Sequence, residues 1–216
     1  MVAFLALFTS LNIHQAAATS LFSFLFTGVL GTWLYQRRRS IDWKIALPVC
    51  AGALVFGFLG AIAAAHIDPR PLSIVIALVI VAAGVYIVVP LKSTAHRTGG
   101  PLELTLVGAA AGFGSGFSGA GGPLFSVPIM VILGYLPLSA VATSQVLQII
   151  AAISGSLGNW QHGFIDLRVA ALITVFELTG LIVGVRLAHV ASALVLRRVA
   201  GALCVVTGGL LLWRSL

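Results

Sequence analysis

Apolar residues run in long blocks separated by short polar joints. Residues 15–36, 43–65, 71–90, 138–160, 167–188 and 193–213 are each almost unbroken in Leu, Ile, Val, Ala, Phe and Gly. A stretch of roughly 20 such residues spans the hydrocarbon core of a bilayer as a helix. The pattern therefore predicts six long membrane helices and an all-α polytopic membrane protein. Residues 1–9 are also apolar but too short to cross alone.

The pattern changes between the third and fourth blocks. Residues 92–101 are polar and turn-like, and 102–133 form an apolar run broken by GFGSGFSGAGGP and by Pro128. That run is too long for one straight span and too short for two. It predicts a broken or re-entrant helical segment, which a bilayer tolerates only where its exposed backbone is buried in protein or lines a wet cavity.

Sliding the chain along itself by 124 residues aligns Ala17–Ser20 with Val141–Ser144, Gly31 with Gly155, RSIDWKIA with GFIDLRVA, Gly60 with Gly184 and Gly84 with Gly208, without a gap. The short Ile-Asp joint follows a similar span at the same distance in both halves, as an internal repeat requires. The organisation expected is a first membrane repeat over 1–92, a connecting loop over 93–101 and a second repeat over 102–216. In this register Met1 pairs with Phe125, so the first copy lacks a counterpart of 102–124. The sequence is accordingly expected either to start late in its gene or to have lost its first glycine-rich hairpin.

Composition closes off the soluble classes. Of 216 residues 60% are hydrophobic and 8% charged, too few polar groups to cover a water-facing surface. The formal net charge of +7 would suggest nucleic acid in a soluble chain, but here the cations cluster in the joints, where they orient spans. Arg37, Arg38, Arg39 and Lys44 put the first joint in the cytoplasm; Arg70 alone marks the next as outside, and Lys92 with Arg97 returns the chain inside. If 102–133 dips in and out on one side, Arg197 and Arg198 also lie inside. That choice gives the larger cytoplasmic charge and two halves of opposite orientation. No removable signal segment is evident at the start, and Cys50 and Cys204 sit in apolar runs with neither metal-ligand nor disulfide spacing.

Glycines at 112, 114, 116, 119, 121 and 122 are the densest feature. Close helix packing through small residues accounts for pairs four apart, such as Gly108 with Gly112 and Gly180 with Gly184. The remaining glycines exceed one packing face, and helix N-termini with free N–H groups attract anions without a cationic side chain. A nucleotide-gripping loop is excluded by the missing Lys-Ser/Thr and preceding strand. Thr143, Ser144, Gln145 and Gln148 enter the next span; hydroxyls can satisfy themselves on helix carbonyls, whereas the two amides share a face and need protein or a polar cavity. Thr19 and Ser20 occupy the equivalent positions in the first half. Glu177 is the acidic residue set deep in a predicted span, a candidate either for proton coupling or for pairing with Arg186. The five histidines, His14, His66, His96, His162 and His189, lack zinc-like spacing, so no metal is expected. Asp42 and Asp166 fit helix N-caps.

The order of these motifs resembles the sulfite exporter TauE/SafE family of small bacterial membrane transporters. The likeness is strongest over 102–212, in GFGSGFSGAGGPLFSVPIMVILGYLPLSAVATS and SGSLGNWQHGFIDLRVA, with a shorter match over 17–89. The resemblance implies a multi-pass inner-membrane protein of two related units that moves small sulfur-containing or organic anions such as sulfite or sulfonates. Carried over residue by residue, Gly112, Gly116, Gly119, Gly121 and Gly122 match the glycines of the broken helix, and Thr143 and Ser144 the start of the next. Pro123 stands where another glycine is common, which stiffens the end of the loop.

The expected mechanism is alternating access around an anion held by broken-helix ends and polar side chains. Its partners are the anion and the lipid bilayer, with no nucleic acid and no cofactor; proton coupling and a homo-oligomer stay open. A membrane scaffold or transporter remnant is the alternative, favoured by the absent hairpin. An intramembrane hydrolase has neither a Ser-His-Asp set nor paired carboxylates at membrane depth.

Overall fold

The computed structural model describes residues 1–88, 99–160, 162, 164–187 and 193–215. Lys92, Arg97, His96 and His189 lie outside them, and the side chains of Arg186, Arg197, Arg198 and Cys204 outside the described side chains. All the regular structure described is helical: α1 (Val2–Phe8), α2 (Ile13–Arg37), α3 (Trp43–Ala65), α4 (Pro69–Val88), α5 (Pro101–Ser118), α6 (Gly122–Ile132), α7 (Pro137–Trp160), α8 (Leu167–Leu187) and α9 (Ala193–Ser215).

The joints are built by local capping. Asn12 and Gln15 form a reciprocal capping box, Gln15 N–H donating to Asn12 Oδ1 at 2.9 Å and Asn12 N–H to Gln15 Oε1 at 3.1 Å, which starts α2 two residues before the apolar block. Asp42 Oδ1 accepts from the N–H of Lys44, and Asp166 Oδ1 from those of Arg168 and Val169. Both Ile-Asp joints are thus N-caps.

Among the described residues α2, α3, 18 residues of α4 and nearly all of α7 are long and apolar enough to cross a membrane. At about 1.5 Å per residue, the 23 residues of α3 reach beyond the roughly 30 Å hydrocarbon core. The fifth and sixth expected blocks appear as α8 and α9. The 11 residues of α6 are far too short to cross, and the seven of α1 pack against α2 and α9.

Close backbone contact holds the centre together. α3 and α5 rise side by side, with Gly108 against the Val49 carbonyl, Gly52 against Thr105 and Ala109, Gly112 against Ala53, and Gly116 against the Gly57 carbonyl. A Cβ at any of these glycines would meet the neighbouring backbone, so small residues set the separation. α7 packs on the other side of α3, and α2 on α7. The resulting core joins Val49, Ala53, Ala111, Met130, Tyr135, Leu147 and Ala151. A second cluster, built on Leu5, Ile13, Leu72, Ile76 and Leu211, fastens α1 and α9 to α2 and α4.

Two relationships position the site. The N–H of Gly99, just before α5, donates to the phenol oxygen of Tyr135, just after α6, at 2.9 Å, so the α5–α6 pair begins and ends at the same end of the bundle. Ile13 and Pro137, Trp43 and Leu167, and Pro69 and Ala193 all begin helices, and each pair is 124 residues apart.

Candidate functional site

The glycine-rich run divides at an elbow. α5 ends with Gly119 in the left-handed region at φ 66°, and Gly121, at φ 87°, precedes α6. Only glycine takes such backbone angles without strain. The Gly119 N–H closes the last turn of α5 on the Ser115 carbonyl at 2.8 Å, and the Ser118 hydroxyl turns back to the Gly114 carbonyl at 2.6 Å. The next helix begins without a cap. The backbone N–H groups of Gly121, Gly122 and Leu124 donate to no partner among the described residues, and Pro123 has no N–H to offer.

Two helices lie against the elbow. A Cβ at Gly119 would overlap the Ala17 carbonyl of α2, one at Gly122 would overlap a Leu147 methyl of α7, and Gly121 touches the Phe24 ring. About one turn from these contacts lie Ser20, Ser115 and Thr143, all at 0% exposure. None of the three hydroxyls has a hydrogen-bond partner among the described residues. A buried hydroxyl left unpaired costs about 1–3 kcal/mol, so three on helices that meet at one elbow mark polar capacity the fold itself does not use.

The other sequence candidates divide sharply. Gly112 and Gly116 face α3 in the helix contact and do not reach the elbow. Ser144 donates to the Val141 carbonyl at 2.7 Å, and the Thr19 hydroxyl accepts from the Asp166 N–H at 3.1 Å, tying α2 to the start of α8. Gln148 Nε2 donates to the Phe24 carbonyl at 3.0 Å and to Thr27 Oγ1 at 2.8 Å, a crosslink between α7 and α2. Gln145 lies over Gly31, which has no Cβ to obstruct its carboxamide. Pro128 falls inside α6.

Both carboxyl oxygens of Glu177 are buried with no hydrogen-bond partner among the described residues. The carboxyl sits beside the Ser23 hydroxyl of α2, which is committed to the Ser20 carbonyl at 2.8 Å. That links the α8 carboxyl to the same polar stripe of α2 that carries Ser20.

Sequence reasoning missed a cluster at one end of the bundle. His14 and His162 both stack on Phe164, with centroids 5.1 and 5.6 Å away, and His66 meets His162 edge-on at 5.9 Å. His66 and His162 each turn Nδ1 to the carbonyl four residues earlier. No linear spacing could have brought these three elements together. Among the described residues no group of three or more His, Cys, Asp or Glu side chains is arranged to hold a metal ion.

Comparison with known proteins decides the family. The model of the sulfite exporter TauE/SafE family matches residues 1–214. The chain belongs to that family. A TauE/SafE protein is a membrane transporter and not an enzyme, and this one is a multi-pass membrane protein. It is 28% identical over 221 residues to a probable membrane transporter protein of Bacillus subtilis strain 168, YdhB, covering 99% of this chain and 90% of that protein. It is 26% identical over 136 residues to a probable membrane transporter protein of Methanocaldococcus jannaschii, covering 62% of this chain and 51% of the relative. No solved structure matches the TauE/SafE chain significantly.

Proposed function

We propose that this TauE/SafE protein is a secondary carrier of small oxyanions, sulfite or small sulfonates, in the bacterial inner membrane, working by alternating access. The observation that carries the reading is the α6 N-terminus. Its unpartnered N–H groups lie beside helices bearing three fully buried, unpartnered hydroxyls. Free N–H groups at a helix start carry the positive end of the helix dipole and hold anions without a fixed cation. An oxyanion accepts hydrogen bonds on every oxygen, so donors from three helices suit it. The elbow then binds through Gly119, Gly121, Gly122 and Ser20, while Thr143, about 12 residues or roughly 18 Å along α7 from the level of Ser20, meets the anion at another point of its path, and Gly112 and Gly116 let α5 approach α3.

The two-fold organisation supports alternation. A Cβ on Gly31 would strike Gln145, and one on Gly155 would strike Leu21; shifting Gly31 and Leu21 by 124 residues gives Gly155 and Gln145. Reciprocal contacts of this kind are what a two-fold relation between like elements produces. α2 runs antiparallel to α7, since Leu21 meets Gly155 while Gly31 meets Gln145, which fits halves of opposite orientation around a midplane site. The Gly99–Tyr135 contact likewise supports reading α5–α6 as a re-entrant hairpin. Glu177, buried beside the α2 stripe, is the proton-coupling group in this scheme.

The test is counterflow in proteoliposomes. Saturable uptake of labelled sulfite or methanesulfonate, accelerated by unlabelled anion on the opposite side, is the expected result. Flux that rises linearly with concentration would replace the carrier with a channel, and no flux of either anion would overturn the reading.

A further inference from the structure

A second set of unused polar groups lies away from the elbow, at the arginine-rich end of α2. A cavity of about 120 Å³ is lined there by Gly31, Leu34, Tyr35, Arg38, Gln145 and Leu181, from α2, its C-cap, α7 and α8. No hydrogen bond or ion pair engages the Tyr35 phenol, the Arg38 guanidinium or the Gln145 carboxamide among the described residues. The neighbouring arginines do not line the cavity: Arg37 lies over the Trp33 ring at 3.8 Å, and Arg39, exposed like Arg38, has φ 53°. No acidic residue lines the cavity.

We propose that this cavity is an entry site for small oxyanions, in which Arg38 supplies the charge and Tyr35 and Gln145 supply directed donors. A guanidinium fork binds two oxygens of one anion at once. The phenol O–H and the amide N–H are then left for the remaining oxygens. The volume equals that of about four waters, enough for a one-centre oxyanion with or without a methyl group. Gly31 is what permits the site, because a side chain there would occupy the space of the Gln145 carboxamide. The apolar walls, Leu34 and Leu181, reject bulkier polar cargo, and the exposed Arg38 draws the anion from solvent to the mouth of the cavity.

The placement gives the site a role in the carrier cycle. Leu181 is one turn beyond Glu177 on α8, and Gln145 is one turn beyond Val141, next to the Thr143 turn of α7. The cavity therefore lies at the level of Thr143, between the basic rim and the deeper Glu177 and Ser20. The proposal rests on the carrier reading for its cargo, but its binding can be measured without transport.

Purified full-length protein in detergent is treated with phenylglyoxal, which modifies arginine, with and without methanesulfonate, and each arginine is followed by peptide mass spectrometry. Methanesulfonate is expected to slow modification of Arg38 several-fold while Arg37 and Arg39 react at unchanged rates. Equal rates at Arg38 with and without the anion overturn the site. In proteoliposomes, Arg38→Gln and Gln145→Leu are expected to raise the half-saturating anion concentration about tenfold on the arginine side alone, with Arg38→Lys intermediate. An equal rise on both sides, or none, also overturns it. Protection of Arg38 without any flux would leave the site standing and remove the carrier reading; flux without protection would do the reverse.

Discussion

Gln148 Nε2 donates to the Phe24 carbonyl at 3.0 Å, and the two residues are 124 positions apart, the offset that also separates the starts of α2 and α7. In the two-fold reading proposed above, equivalent positions meet each other only at the axis, and this crosslink sits there. Gln148→Leu removes the donor to both Phe24 and Thr27. The expected cost is about 0.6–1.7 kcal/mol, the range for interhelical polar contacts within membranes. Thermal unfolding in detergent should show a lowered midpoint; an unchanged midpoint would mean the crosslink carries no stability.

Three hydroxyls on α2 and α7 give opposite predictions. Thr19→Val loses the bond to the Asp166 N–H and should destabilise by about 1 kcal/mol. Ser20→Ala and Thr143→Val remove hydroxyls that have no partner, so stability should hold or rise while anion flux falls at least tenfold. Stability loss without a flux defect would assign Ser20 and Thr143 to the fold and not to the site.

Glycine replacements separate the elbow from the surface. Gly119→Ala forces a side chain into a left-handed conformation, which costs about 1–2 kcal/mol, and drives its Cβ into the Ala17 carbonyl. Lower yield of folded protein and loss of flux are expected. Gly180→Ala on α8 meets nothing within 4 Å and should gain up to about 1 kcal/mol from helix propensity. Unfolding midpoints of the two variants should move in opposite directions.

Glu177→Gln keeps the shape and removes the exchangeable proton. Flux driven by an imposed proton gradient should be abolished, while exchange of anion for anion at equal pH on both sides persists. Retained gradient-driven flux would exclude Glu177 from coupling.

Much of the helix plan was legible because membrane helices advertise their length and their caps. Asp42 and Asp166 marked helix starts through side-chain chemistry, and the glycine density around 112–122 marked the break, which falls at Gly119–Gly121. The use of each polar group was not legible. Gln145 and Gln148 share a face in sequence, yet Gln148 is spent on α2 and Gln145 faces the Arg38 cavity. Thr143 and Ser144 are adjacent, and only Ser144 turns back to its own helix. Such outcomes depend on which neighbour approaches, as at Gly31, where a missing Cβ on α2 decides where an α7 amide can lie. The histidine cluster around Phe164 follows from three helix ends converging, which local pattern does not encode.

The most direct test of the central claim, that the α5–α6 elbow and the unpartnered hydroxyls beside it hold the transported oxyanion, is the half-saturating sulfite concentration for exchange in proteoliposomes, wild type against Ser20→Ala. The account predicts saturable exchange in the wild type and a rise of at least tenfold in the variant, with an unfolding midpoint equal to or above wild type. Saturable exchange with the same half-saturation in both proteins would contradict it.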